Sequence, residues 1–296
     1  MADELNDSEK MKSYMSIMAL LVGILLGSTG CYVYFLSMKQ SRSYLVNTLG
    51  KVNAYKYLVS SYNSTMGLCF EFPESNVYWV SHDNLLASYA LQNWNRTVAD
   101  NITETMHRIV RDYRLAASSN GIPIDTRAEI LLGYNIDLFF NQTESMILNS
   151  TYYGSILKTE RANSSILPDF ENYTDLLCYA SLVEWRKENY SEANHYYEEA
   201  EATWDGNGFR DQVFDKTGYY ATYKLGLFYL ASNTLGKNFD FKKELVDRVG
   251  RCQLLSGGFI TDYFGNGSFP VNGKTNIETT SIILLADFPA ILEITD

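Results

Sequence analysis

The chain is poor in the residues that most often carry recognisable chemistry. Its 296 residues include three His, four Cys and five Pro, and 24 Lys plus Arg stand against 35 Asp plus Glu, a net charge of −11. That basic deficit argues against a nucleic-acid partner, because phosphate binding needs clustered Lys and Arg. So few cysteines exclude a small disulfide scaffold. There is no CxxC and no Cys/His cluster at metal-ligand spacing, so no metal and no cofactor are expected. A phosphate-binding loop, a GxSxG nucleophile turn and an HExxH run are all missing. The 46% hydrophobic content, by contrast, is enough for a sizeable core and excludes a disordered chain.

Charge is missing in one place above all. The 26 residues between Lys12 and Lys39 carry none, and roughly 20 apolar residues in a helix span a bilayer core. Tyr14, Tyr32 and Tyr34 stand towards the ends of this run, where amphipathic rings favour the interface. The apolar stretch continues past Gly27–Gly30, too far for a cleaved signal peptide, and Ser28-Thr29-Gly30-Cys31 lacks the Leu of a lipoprotein box. The pattern predicts a tail at 1–12, a transmembrane helix at 13–38 in contact with membrane lipid, a stalk or first helix at 39–66, and a domain at 67–296. Lys10 and Lys12 before the run and Lys39 and Arg42 after it do not orient it. Asn-x-Ser/Thr triplets do. Composition alone would give about four; there are ten, nine of them beyond the run, at Asn63, Asn95, Asn101, Asn141, Asn149, Asn163, Asn172, Asn189 and Asn266. The expectation is a single-pass glycoprotein with a cytoplasmic N-terminus and residues 39–296 extracytoplasmic. Cys69, Cys178 and Cys252 then allow at most one bridge, or three buried thiols.

Along the domain, helical periodicity marks 41–62, 82–94, about 99–117, 172–187 and 191–204. The stretch 121–167 is rich in β-branched and aromatic residues broken by Gly and Asn, which predicts a small β-hairpin insert. The last third holds an imperfect repeat. DGNGFRDQVF precedes GYYATYKLGLFYLA, SGGFITDYF precedes TNIETTSIILLA, and a fainter copy is MGLCFEF before SHDNLLASYAL. Each joins a Gly-aromatic turn to a helix, with Phe209, Phe259 and Phe70 at equivalent places, as in units that bury a face only against their neighbours.

CQLLSGGFITDYFGNG followed by TNIETTSIILLA resembles the repeat of the α/α-toroids, the class of protein prenyltransferases, terpene cyclases, thioester domains and six-hairpin glycosidases. The whole also resembles uncharacterised membrane-anchored ectodomains of archaeal type. The resemblance covers about 67–95 and 170–290 and implies a mainly α fold: a transmembrane helix followed by an α/α-toroid-like ectodomain of helical hairpins with a small β insert. About eight helices are legible where a full toroid has twelve. The class's DxDD acid run, Asp/Cys/His zinc set and Cys-Gly-Glu-Gln thioester run are all missing.

In such a toroid the starts of the inner helices face a central depression. That geometry would bring together His82 and Asp83, Tyr220 and Thr222, and Asn276, Glu278 and Thr279. Trp79, Tyr219 and Tyr263 would offer platforms for sugar rings, and Asp262 sits on a preceding loop. Asp83, Asp262 and Glu278 are the candidate acid and base of a sugar-cleaving site; Trp79, His82, Tyr219, Tyr220, Tyr263 and Asn276 are candidate ligand contacts. With no complete catalytic signature, the first expectation is a non-catalytic binding or envelope component with a glycan or protein ligand. The alternative is an anchored glycoside hydrolase or lyase.

Overall fold

Two kinds of helix share the chain, and their sequences say which is which. The structure, a computed structural model, describes residues 50–117, 121, 123, 125–133, 140–266, 268 and 273–288. The chain divides into two compact units, Met1–Val46 and Asn47–Asp296, and every described residue belongs to the second. Helix α1 covers 50–60. Four helices are buried on nearly every side: α2 (His82–Leu91), α5 (Thr174–Arg186), α8 (Thr222–Leu235) and α10 (Ile277–Leu285). They are built from Leu, Ile, Ala, Ser and Thr, and their hydroxyls bond back to nearby carbonyls, as Ser88 does to Leu85 and Ser232 to Phe228. By contrast α3 (Arg96–Tyr113) and α9 (Lys242–Arg251) bury one stripe each, Val98, Ile102, Met106 and Ile109 in the first and Leu245, Val246 and Val249 in the second.

The buried helices touch in sequence around a circuit. Helix α2 packs on α10, α10 on α8, α8 on α5, α5 on the short α4 (Thr126–Leu132), and α4 on α2. Outside them α3 lies on α2, α6 (Tyr190–Ala202) on α5, and α9 on α8. The three Gly-aromatic turns each close a small antiparallel contact ahead of a buried helix. Strands β1 (Tyr62–Asn63) and β2 (Leu68–Cys69) pair before α2, Trp204 pairs Phe209 before α8, and Gln253 pairs Phe259 before α10. Phe209 and Phe259 are buried and Phe70 is half-buried.

Strands complete the wall. β3 (Val77–Trp79) runs parallel to β5 (Ser155–Ile166), which pairs antiparallel with β4 (Asn141–Tyr152), in the order β3-β5-β4. A short helix α7 (Gln212–Thr217) leads to β6 (Tyr219–Ala221), which pairs with β7 (Asp262–Phe264).

This arrangement corrects the expected fold class. Among the described residues about 52% is helix and 19% is strand, so the mainly α, toroid-like reading with a small insert does not hold. The hairpin is longer than an insert needs to be, twelve residues in each strand, and β3 stitches it to the body. Part of the stretch read as β, Thr126–Leu132, is helix, capped by Asp125 through the Ala128 amide. No helix among the described residues is long and apolar enough to cross a membrane. The reason is visible in sequence: the longest described helix, α3, carries Arg96, Asp100, Glu104, Arg108, Arg111 and Asp112, while apolar α10 has only nine residues. That finding counts against the transmembrane element of the fold and the single-pass localisation, and neither is carried further; the segment 13–38, on which they were placed, lies outside the described residues. Cys69, Cys178 and Cys252 are free and buried, not bridged.

Backbone strain locates one fragile point. Gly257 has φ +92°, and a Cβ there would stand 2.1 Å from the Asn53 carbonyl oxygen of α1. Gly236 has φ +66° with open space around it. Left-handed backbone costs an L-residue about 1–2 kcal/mol, so Gly236→Ala is expected to lose about that much in urea unfolding. Gly257→Ala, which adds a backbone collision, is expected to lose clearly more; equal losses would place α1 away from this turn.

Candidate functional site

The site is assembled by strand pairing and capping. β3 ends at Trp79 opposite Lys158, the Val80 amide donates to the Lys158 carbonyl at 2.8 Å, and the Thr159 hydroxyl reaches Ser81 Oγ at 3.2 Å. These bonds place His82 and Asp83, the first residues of α2, beside Glu160 of β5. The start of α10 is tied to the same place: the Ile277 amide donates to the Glu71 carbonyl at 3.1 Å, and Asn276 caps α10 by accepting from the Thr279 amide at 2.9 Å. The result is a strongly polar cavity of about 160 Å³ lined by Glu71, Trp79, His82, Asp83, Arg127, Glu160, Asn276 and Glu278.

His82 is its centre. Nε2 lies 2.7 Å from Glu278 Oε1 and Nδ1 lies 3.1 Å from Asp125 Oδ1. Facing a carboxyl oxygen on each side, the ring is placed to donate from both nitrogens, as an imidazolium does. Burial alone would push its pKa down, but the charges of Asp125 and Glu278 and their hydrogen bonds outweigh burial and hold it well above the ordinary 6.5. The same exchange acts on the partners. Burial opposes ionisation of Asp125 and Glu278, yet the His82 charge, its hydrogen bonds and Arg127 keep both carboxyls below the usual range. Asp83 goes the other way. Burial, then the negative Glu278, raise its pKa well above 3.8 against the pull of His82, and Glu71 and Glu160 add to the rise. Its Oδ2 is buried with no hydrogen-bond partner. The cavity therefore holds two carboxyls pushed in opposite directions, Glu278 towards ionisation and Asp83 towards protonation. Neighbouring acids pushed apart in this way are the signature of an acid–base pair. Arg127 is ion-paired with Glu160.

Five of the sequence candidates meet here: Trp79, His82, Asp83, Asn276 and Glu278. Others do not. Tyr220 and Tyr263 are buried, their hydroxyls bonded to Asp205 and to the Asn207 carbonyl. Strand alternation explains it: on β6 and β7 the cross-strand pair Tyr220–Tyr263 points inward and Tyr219–Phe264 outward. Tyr219 is exposed and stacks on Phe264 at 5.1 Å. Asp262 is exposed on β7, accepts from the Thr261 hydroxyl, and is absent from the lining. Trp79 offers less free face than a bare platform would, since Lys158 Nζ sits 5.3 Å from its ring centre. Among the described residues no group of three or more His, Cys, Asp or Glu is placed to hold a metal ion.

Sequence reasoning missed Asp125, Arg127, Glu160 and Glu71. An Asp ahead of TRAEILL is a helix-start signal, and it was available for Asp125; nothing local marks Glu160 in its strand. Of the glycosylation candidates, Asn101, Asn172, Asn189 and Asn266 are exposed, and Asn63, Asn95, Asn141 and Asn149 are half-buried. The Nδ2 atoms of Asn63, Asn149 and Asn189 donate to Tyr78, Tyr113 and Glu184. The Asn163 side chain lies outside the described residues.

No family model and no curated protein matches the chain.

Removing one member of a buried charge cluster leaves its partners uncompensated, a loss of about 3–5 kcal/mol. His82→Gln is expected to lose stability on that scale. Because the folded His82 pKa is raised, its contribution is fully present below pH 6.5 and is lost as pH rises through the elevated folded value. The gap between wild type and His82→Gln in urea midpoints is therefore expected to be wide at pH 6 and to narrow on the alkaline side. A gap independent of pH would show that His82 is not buried as a cation.

Proposed function

We propose that the chain is a glycoside hydrolase, the catalytic alternative raised by its sequence. The observation that carries this reading is the placing of Glu278 and Asp83 in one polar cavity, with surroundings that push the Glu278 pKa down and the Asp83 pKa up. In the proposed reaction Glu278 accepts a proton from water as the water oxygen bonds to the anomeric carbon. The glycosidic C–O bond breaks and Asp83 gives its proton to the departing oxygen. Exchange with solvent then returns the proton from Glu278 to Asp83. His82 and Asp125 are positioning residues: they hold Glu278 ionised and fixed.

The charge balance favours hydrolysis over lyase chemistry. Elimination from an acidic sugar needs a cation to neutralise the sugar's carboxylate, and both cations of the cavity already face carboxylates, His82 against Asp125 and Glu278, Arg127 against Glu160. A second reading, sugar binding without turnover, is supported by the hydrogen bond that occupies Glu278 Oε1.

The test is reducing-sugar release from a panel of neutral polysaccharides by the full chain. Positioned acid or base groups contribute about 10²–10⁴-fold, so Glu278→Gln and Asp83→Asn are each expected to lower kcat by that range. The pH profile is expected to be bell-shaped, its acid limb set by Glu278 below the ordinary carboxylate value of 4.5 and its alkaline limb by Asp83 well above 3.8. Binding of an oligosaccharide with no product released by wild type would select the second reading.

A further inference from the structure

A second cavity, about 370 Å³, adjoins the first. It is lined by Asp125, Arg127, Phe140, Asn141, Gln142, Thr143, Glu160, Leu167, Asp175 and Leu176. The ion pair of Arg127 with Glu160 belongs to both linings, so the two cavities meet at one bonded side-chain pair. Asp125, which orients His82 in the first cavity, also lines the second.

The chemistry of this lining is that of a carbohydrate subsite. Phe140, Leu167 and Leu176 give it an apolar side, and Asn141, Gln142 and Thr143, at the start of β4, give it neutral donors and acceptors. Its charges are already answered. Arg127 meets Glu160, and Asp175 meets the Tyr223 hydroxyl at 2.8 Å and the buried Lys224, which is also bound by Asp211. Two buried carboxylate oxygens of the lining have no hydrogen-bond partner: Oδ2 of Asp125, which is 4% exposed, and Oδ1 of Asp175, which has only the ion pair with Lys224 at 3.4 Å. A buried carboxylate oxygen left in this state costs about 1–3 kcal/mol or more, and a donor from a ligand would remove that cost.

The lining also sets what the ligand is. Around the lining five carboxyls, Asp125, Glu160, Asp175 and the adjoining Asp211 and Glu278, share three cations, Arg127, His82 and Lys224, so the surroundings are net acidic and an anionic sugar would be repelled. A neutral ring fits: hydroxyl donors for Asp125 and the β4 side chains, and an apolar face for Phe140 and Leu167.

We infer that the second cavity is a substrate subsite for a neutral hexose-type ring, contiguous with the acid–base cavity across the Arg127–Glu160 pair, so that the substrate is a neutral oligosaccharide spanning both. The inference rests on the proposed glycoside hydrolysis for its substrate and on its own lining for its place.

The experiment uses the full chain and four probes: neutral tetrasaccharides of glucose, xylose and mannose, and a tetragalacturonate. Binding is read by calorimetry in the Glu278→Gln background, and kcat/KM is read in wild type on the bound tetrasaccharide and on the aryl monoglycoside of the same sugar. A neutral tetrasaccharide is expected to bind and tetragalacturonate not to. Gln142→Ala, at an exposed position outside the acid–base cavity, is expected to weaken tetrasaccharide binding about tenfold, the size of one good hydrogen bond, and to lower kcat/KM for the tetrasaccharide but not for the aryl glycoside. Thr143→Val is a second variant read in the same way. Binding that is lost in Gln142→Ala, with no turnover in wild type, would support the subsite and overturn the hydrolase. Turnover of both substrates that neither variant alters would support the hydrolase and overturn the subsite. Tighter binding of tetragalacturonate than of any neutral probe would overturn the charge argument and the subsite with it.

Discussion

The arrangement around His82 depends on a cation placed where water barely reaches. An imidazolium in that position is stable only if carboxylates surround it, and the carboxylates are stable only if the cation stays. Asp125 and Glu278 come from the cap of α4 and the first turn of α10, while His82 opens α2. Three segments far apart in sequence are therefore held by one charge balance. Asp83 is drawn into the same balance from the other side. Burial, the nearby Glu278 and the added field of Glu71 and Glu160 disfavour a further ionised carboxyl and raise the pKa of Asp83. The protonation pattern of the cavity follows from burial and proximity, not from any special property of the individual residues.

The scaffold serves this balance. Helices α2 and α10, which supply His82, Asp83 and Glu278, are buried along most of their length, so their first turns are fixed by packing as well as by local hydrogen bonds. The sheet contributes in a different way. Pairing of β3 with β5 places Glu160 next to the start of α2, and pairing of β5 with β4 carries Asn141, Gln142 and Thr143 to the second cavity. A stretch of chain that looks in sequence like decoration on a helical body supplies a wall of both cavities.

This explains what was legible in the sequence. The Gly-aromatic repeat marks the starts of α2, α8 and α10, and the polar residues just inside those starts, His82, Asp83, Asn276 and Glu278, are found from it. The repeat says nothing about α4 or β5, so Asp125, Arg127 and Glu160 stay hidden: His82 meets Asp125 across 43 positions and Glu278 across 196. Tyr220 and Tyr263 were misplaced as ligand contacts because a two-residue period in a three-residue strand is too short to read without its partner. The fold class failed for a related reason. Helical periodicity is strong and local, whereas the pairing that makes the hairpin part of the body is parallel, distant and only three residues long.

The charge state of His82 is the point on which the cavity's chemistry turns, and it can be observed without a substrate. Nitrogen-15 NMR of the full chain labelled at histidine distinguishes a ring protonated on both nitrogens from either neutral tautomer, and His82→Gln assigns the signal. At pH 7.5 the His82 signal is expected to be that of the imidazolium, persisting well above the ordinary value of 6.5 and shifting to lower pH in Asp125→Asn. A neutral His82 ring at that pH would contradict the account, since Glu278 would then lack the cation that holds it ionised.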